Sequence, residues 1–213
     1  MKKSILLLFA LSLFMGSNAN SQASADFSNQ VFFGLKVGFN NSNVWDSEGE
    51  EFKSDSKFGL AIGGFLSIPI LEQFSFQPEL LFSQKGFKGT GRILGGTYDL
   101  TRTTNYLDIP LMLAFKPVDL VTVLAGPQYS YLMKQKDEFA NATSTIAQEQ
   151  EFSNDNIRNN TFSFIAGVDV NIDEIVLSTR IAWDLMNNNG DGTSTTPRYK
   201  NAWWQLTVGY RFN

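Results

Sequence analysis

The chain has 213 residues, a formal net charge of −4, no histidine and no cysteine. These counts exclude a disulfide framework, a lipid on an N-terminal cysteine, a histidine-ligated metal and a Ser–His–acid triad, and an acidic balance without a basic cluster argues against nucleic acid as a partner. Charged residues make up 18% and aromatic residues 14%, with 19 Phe, a balance that calls for more apolar surface than an ordinary secreted domain shows to water.

Lys2 and Lys3 precede an apolar run from Ile5 to Met15, and small and polar residues follow. This is the layout of a secretory signal peptide, and the run is shorter than the roughly 20 residues a spanning helix needs. Small-x-small triplets at Ser17–Ala19 and Ala23–Ala25 put the cleavage boundary between 19 and 25. Residues 1–25 therefore read as a leader and 26–213 as one domain.

Eight segments follow with a period of 2, the strand signal. In the first, Val31, Phe33, Leu35, Val37 and Phe39 alternate with Gly34, Lys36, Gly38 and Asn40. The second sets Phe58, Leu60, Ile62, Leu66 and Ile68 against Gly59, Ala61, Gly63 and Ser67, and the third sets Phe74, Phe76, Leu80 and Phe82 against Ser75, Gln77, Glu79, Ser83 and Lys85. The fourth opposes Leu107, Ile109, Leu111, Leu113 and Phe115 to Tyr106, Asp108, Met112 and Ala114. In the fifth, Val121, Val123, Tyr129, Tyr131 and Met133 oppose Thr122, Gly126, Gln128 and Ser130. The sixth opposes Phe162, Phe164, Val168 and Val170 to Ser163, Gly167, Asp169 and Asn171, and the seventh opposes Ile175, Leu177, Ile181 and Trp183 to Ser178, Arg180 and Asp184. The eighth, "AWWQLTVGYRFN", sets Trp204, Leu206, Val208, Tyr210 and Phe212 against Trp203, Gln205, Thr207, Gly209 and Arg211.

Connections alternate in length. Ile70–Gln73, Pro117–Asp119 and Asp173–Glu174 suit hairpin turns, whereas Asn41–Ser56, Gly86–Tyr98, Lys134–Asn160 and Asn187–Tyr199 are long and polar. Residues opposed across a hairpin share a face, so Ile68 should meet Phe74, Phe115 should meet Val121, and Ile172 should meet Ile175. The expected fold is all-β, an eight-stranded antiparallel up-and-down transmembrane β-barrel. The large apolar set exceeds what an eight-stranded lumen can hold, so it should face lipid, with the Gly-, Ala- and Ser-rich set turned inward. Pro78, Pro110 and Pro127 fall within strands, where β-bulges are the expected accommodation.

Glu79, Asp108, Asp169 and Asp184 fall on the inward set beside Lys36, Arg102, Arg180 and Arg211. Such charges could form an ion path or a carboxylate dyad, but a narrow lumen favours a charge-paired plug. "NNNGDGTSTTPR" has Asn187, Asn189, Asp191 and Gly192 near calcium-loop positions, yet Arg198 stands where a bidentate Glu is needed, so a polar loop is expected. "NAT" at Asn141 and "NNT" at Asn159 match glycosylation sequons, which read as accidental in a bacterial barrel.

"QPELLFSQKGFK" (Gln77–Lys88), "NYLDIPLMLAFKP" (Asn105–Pro117), "LAGPQYSYLM" (Leu124–Met133), "STRIAWDLMN" (Ser178–Asn187) and "LTVGYRF" (Leu206–Phe212) resemble the PorT-like outer-membrane β-barrel family of Gram-negative bacteria. The resemblance implies an eight-stranded barrel in the cell outer membrane, often with no defined biochemical role, and its founding member is linked to a secretion system; the residues themselves lead us to expect no enzymatic activity and no cofactor. The resemblance also implies that Leu206, Val208, Tyr210 and Phe212 form the C-terminal signal read by the barrel assembly machinery, although Asn213 follows the aromatic terminus. The expected role is structural or partner-binding, through the long extracellular loops or the periplasmic rim. A small-solute channel and a secreted lipocalin-like barrel for an apolar ligand are the alternatives.

Overall fold

The computed structural model describes residues 30–45, 53–93, 96–141, 145–151, 158–188 and 199–212. The expected leader lies outside them, as does most of the calcium-like loop. Nine strands are present among the described residues: β1 (Phe32–Trp45), β2 (Lys53–Leu71), β3 (Phe74–Ile93), β4 (Gly96–Val118), β5 (Val121–Asn141), β6 (Thr145–Glu151), β7 (Asn160–Ile172), β8 (Ile175–Asp184) and β9 (Lys200–Phe212). Eight of them form a ring, each antiparallel to its neighbours. It runs from β1 to β5 in order, continues through β7, β8 and β9, and closes by β9 pairing with β1. β6 stands outside the ring and pairs with the upper part of β5, Ala140 opposite Thr145.

Closure leaves no ring strand with an open edge, the condition for spanning hydrocarbon. The alternation sorts the side chains. Leu35, Phe58, Ile62, Leu113, Ile181 and Val208 stay exposed on the outside, while Lys36, Ala61, Met112, Arg180 and Thr207 are buried inside. A soluble barrel would reverse these faces. Within the lumen, Met112, Ala114, Leu124, Ile165, Ala182 and Trp203 form an apolar cluster against the β4–β9 wall.

Ile172 and Ile175 face each other as expected across the Asp173–Glu174 turn, where Asp173 takes a left-handed φ of 51°. The other two hairpins run on by one rung. Leu71 pairs with Phe74 and Val118 with Val121, and a one-residue register shift just inside each turn then sets Ile68 opposite Phe76 and Phe115 opposite Val123. Each displacement is an even number of residues, so every face is preserved.

The prolines differ from expectation. Pairing lapses around Pro78 between Phe65–Glu79 and Ile68–Phe76, around Pro110 between Pro78–Leu111 and Leu81–Asp108, and around Pro127 between Pro110–Gln128 and Leu113–Ala125. Each ladder resumes in the same register. A missing N–H deletes a rung but demands no extra residue, so no bulge forms there. The register shifts lie elsewhere, at Ser56/Ala61, Pro69/Leu71, Asn105/Tyr106 and Phe115/Val118.

The long polar connections also prove more ordered than expected. β3 and β4 continue through most of Gly86–Tyr98 and leave only residues 94 and 95 between Ile93 and Gly96. β5 and β6 occupy much of Lys134–Asn160, and β1 reaches Trp45. The barrel therefore continues beyond the apolar belt as a wall of strands β2 to β6 on its extracellular side.

Candidate functional site

The lumen is built from every second residue of the eight ring strands, and its charges sit in three layers. In the periplasmic layer, Lys36 of β1 reaches Glu79 of β3 at 2.6 Å, and Gln77 Nε2 donates to the same Oε1 at 2.9 Å. Opposite them, Arg180 of β8 pairs with Asp169 of β7 at 2.6 Å and donates to the carbonyls of Val168 and Thr179. Arg180 Nη2 also lies 3.8 Å from Glu79 Oε1, which joins the two pairs into one network across the barrel. All four side chains are at most 4% exposed.

Glycines make room for this layer. A Cβ on Gly34 would lie 2.4 Å from Phe65 Cζ, and one on Gly167 would lie 2.6 Å from Arg180 Cδ. Phe65 can therefore lie across the lumen floor, edge-on to Phe32, with Lys36 5.1 Å from its ring centroid. Arg211 sits below this floor at the periplasmic mouth, over Phe32, and donates to the carbonyl of Asp173.

The middle of the lumen is neutral. Gln205 Nε2 donates to Asn40 Oδ1 at 2.9 Å, and Asn40 Nδ2 donates to Ser83 Oγ at 2.8 Å, tying β9, β1 and β3 together. Above them Lys85 Nζ lies 2.9 Å from Asp108 and 3.6 Å from the centroid of the Trp203 ring, with Tyr106 on another side. Asp184 is held by neutral donors. It accepts from Ser163 Oγ at 2.7 Å and from Asn201 Nδ2 at 2.6 Å.

At the extracellular mouth, above the apolar belt, Arg102 makes a two-pronged contact with Asp137 at 2.8 and 2.7 Å and donates to Tyr199 Oη at 2.9 Å. Phe87 packs edge-on against Tyr199. Burial alone would lower the pKa of Arg102, but Tyr199 and Asp137 together raise it, so the guanidinium stays charged.

Of the residues singled out in the sequence, Lys36, Glu79, Asp169 and Arg180 thus form one network. Asp108 belongs to a separate pair with Lys85, Asp184 is held by neutral donors, and Arg211 lies at the mouth over Phe32 and on the Asp173 carbonyl. Leu206, Val208, Tyr210 and Phe212 line the outward face of β9, where Phe212 stacks on Phe33 at 5.1 Å. The Arg102–Asp137–Tyr199 cluster was not anticipated as a unit. Among the described residues, no group of acidic side chains is placed to hold a metal ion.

The family described as the outer membrane protein beta-barrel domain matches residues 18–189. The chain belongs to that family. An outer membrane protein β-barrel of this kind sits in the lipid bilayer of the cell outer membrane, and the outward apolar belt is its lipid contact. The lipocalin-like alternative is thereby overturned.

Solved structures similar to this outer-membrane barrel include Ail, the attachment invasion locus protein of Yersinia pestis, at 14% identity and a TM-score of 0.49, covering 86% of this chain and 99% of that one. OprG from Pseudomonas aeruginosa matches at 12% identity and a TM-score of 0.43, covering 87% and 97%. Neisserial surface protein A matches at 11% and 0.44, covering 84% and 97%. No curated protein matches the chain.

Proposed function

We propose that this barrel is a closed, non-enzymatic membrane anchor that presents partner-binding surfaces on its extracellular strand extensions or its periplasmic rim. The observation that carries this reading is the filled lumen. Lys36, Lys85, Arg102, Arg180 and Arg211 are equal in number to Glu79, Asp108, Asp137, Asp169 and Asp184, and Phe65, Tyr106 and Trp203 occupy the space between them. Among the described residues, the space at the periplasmic mouth bounded by Phe65, Gln77, Asp169 and Arg211 measures about 40 Å³, room for a few waters rather than a solute path.

A plugged barrel acts through what it displays. The resemblance to PorT-like barrels supports a role in an envelope assembly, including association with a secretion system. It also supports delivery by the barrel assembly machinery through the aromatic row on β9. The test is photocrosslinking in native membranes from residues on each rim, such as Lys88 above the belt and Glu72 in a periplasmic turn. A discrete adduct from one rim supports the reading. Adducts with lipid alone from both rims would contradict it.

A further inference from the structure

β6 is the one described strand outside the ring, and it ends the extracellular wall in an open edge. One side of it pairs with β5, from Lys134–Glu151 to Ala140–Thr145. Among the described residues no strand pairs with its other side, so a row of backbone N–H and C=O groups points away from β5. Hydrocarbon would not tolerate such an edge, but this one stands in water. Lys134 is thirteen residues above Val121 at the periplasmic turn, which at about 3.3 Å per residue and a tilt near 40° puts it roughly 30 Å along the membrane normal, beyond an apolar band about 25 Å tall.

The edge carries little of the usual protection. Natural edge strands are blunted by proline, lysine, bulges or short length. β6 has seven residues, TIAQEQE, without proline, glycine or lysine, and its register with β5 runs unbroken. The support beneath it is stiff, because β5 pairs on its other side with β4, where Arg102 grips Asp137 at 2.8 and 2.7 Å. Two cross-strand rows reach the edge and stop. Leu100, Phe139 and Ile146 are in register across β4, β5 and β6, and Phe139 is 41% exposed. The other row is set by charge. Glu149 is opposite Lys136 and Glu151 opposite Lys134, while Lys136 already holds Glu138 at 2.6 Å. Two bases thus meet three acids, two of them on the outermost strand, and the edge is left negative.

We propose that β6 accepts a strand of a second polypeptide by β-addition, an extended segment with Lys or Arg beside Glu149 and Glu151 and an apolar residue beside Ile146. The inference rests on the anchor reading above and names the part of the extracellular extension that a partner engages. Main-chain hydrogen bonds complete the edge, and the two rows set the register of the added strand. A second copy of this chain does not fit. Two barrels in one membrane are related by an axis along its normal, so their β6 strands run the same way and bring Glu149 and Glu151 against their own copies.

The test is peptide-resolved deuterium exchange of the full-length barrel in lipid nanodiscs, with capped synthetic strand peptides added at millimolar concentration. The probe KTKTTVT, laid antiparallel to β6, sets its lysines beside Glu151 and Glu149 and its valine beside Ile146. It should slow exchange across residues 145–151 several-fold. KTKPTVT, whose central proline cannot pair, and ETETTVT, with its charges reversed, should slow it much less. Glu149→Lys should move the preference from KTKTTVT towards ETETTVT, and Glu149→Gln should narrow it if the lysine loosens β6 from β5. No slowing by KTKTTVT, equal slowing by the proline peptide, or a dimer crosslinked through β6 would overturn the edge site. A rim adduct from Lys88 without protection of β6 would strike the edge site alone and leave the anchor reading standing.

Discussion

Arg180 is held by geometry that leaves it little freedom. Its guanidinium meets Asp169 and two carbonyls, with Glu79 just beyond at 3.8 Å. Removing one partner of a buried pair strands the other charge, at a cost of about 3–5 kcal/mol. Arg180→Met alone should therefore lower the urea stability of the lipid-refolded barrel by about that much. Adding Asp169→Leu should restore most of the loss, because replacing a buried pair with apolar side chains is often neutral. With Asp169→Leu also measured alone, a double-variant loss equal to the sum of the two single losses would show that the pair is not coupled. Gly34 gives a steric counterpart. A side chain there would collide with Phe65, so Gly34→Val should cost about 1–3 kcal/mol as overpacking. Phe65→Ala in the same protein should relieve part of that cost. Urea midpoints of the four species check it, and additive losses would contradict the contact.

For the strands, the faces were legible in the sequence wherever one side meets lipid and the other the lumen, since only there does alternation carry contrast. Leu35 and Lys36, or Val208 and Thr207, could be assigned from parity alone. The extensions above the belt could not, because Gly86–Tyr98 carries five glycines and its few large apolar residues keep no sustained alternation, so it reads as a loop. Asp137 shows a subtler failure. By parity it shares the outward set with Tyr131 and Met133, yet it is inside on Arg102. Tyr106 pairs with Leu132 and Asn105 with Lys134, so Met133 is an extra residue and reverses the sides above it. A bulge of this kind leaves no mark in periodicity until the partner strand is known. Depth was likewise invisible. Trp204 faces outward, but it stands eight residues above Phe212, roughly 20 Å along the membrane normal, and its Nε1 donates to Thr179 Oγ1 at 2.8 Å. It lies near the extracellular border of an apolar band about 25 Å tall. Val208→Arg, deeper in the band, should cost about 2–4 kcal/mol, and Trp204→Arg closer to 0–1 kcal/mol from charge burial. Denaturation of both variants in lipid measures the difference, and the reverse order would mean that the belt is placed wrongly.

Taken as a whole molecule, the barrel has closed its backbone and neutralised its interior, and both features bear on behaviour outside the membrane. A ring with no free edge resists mild detergent, so unheated protein should migrate apart from boiled protein on a detergent gel. A single mobility would count against a closed ring. Closure of the lumen is the more consequential claim, because it separates a displayed anchor from a channel. The layers at Lys36–Glu79–Arg180–Asp169, at Lys85–Asp108 and at Arg102–Asp137 block the lumen in series, with Phe65 lying across the floor. Purified protein reconstituted in a planar bilayer reads this directly. The structure predicts a silent membrane, with no long-lived conductance steps. Reproducible, long-lived steps of porin size that disappear when Phe65→Trp enlarges the floor would contradict the closed lumen.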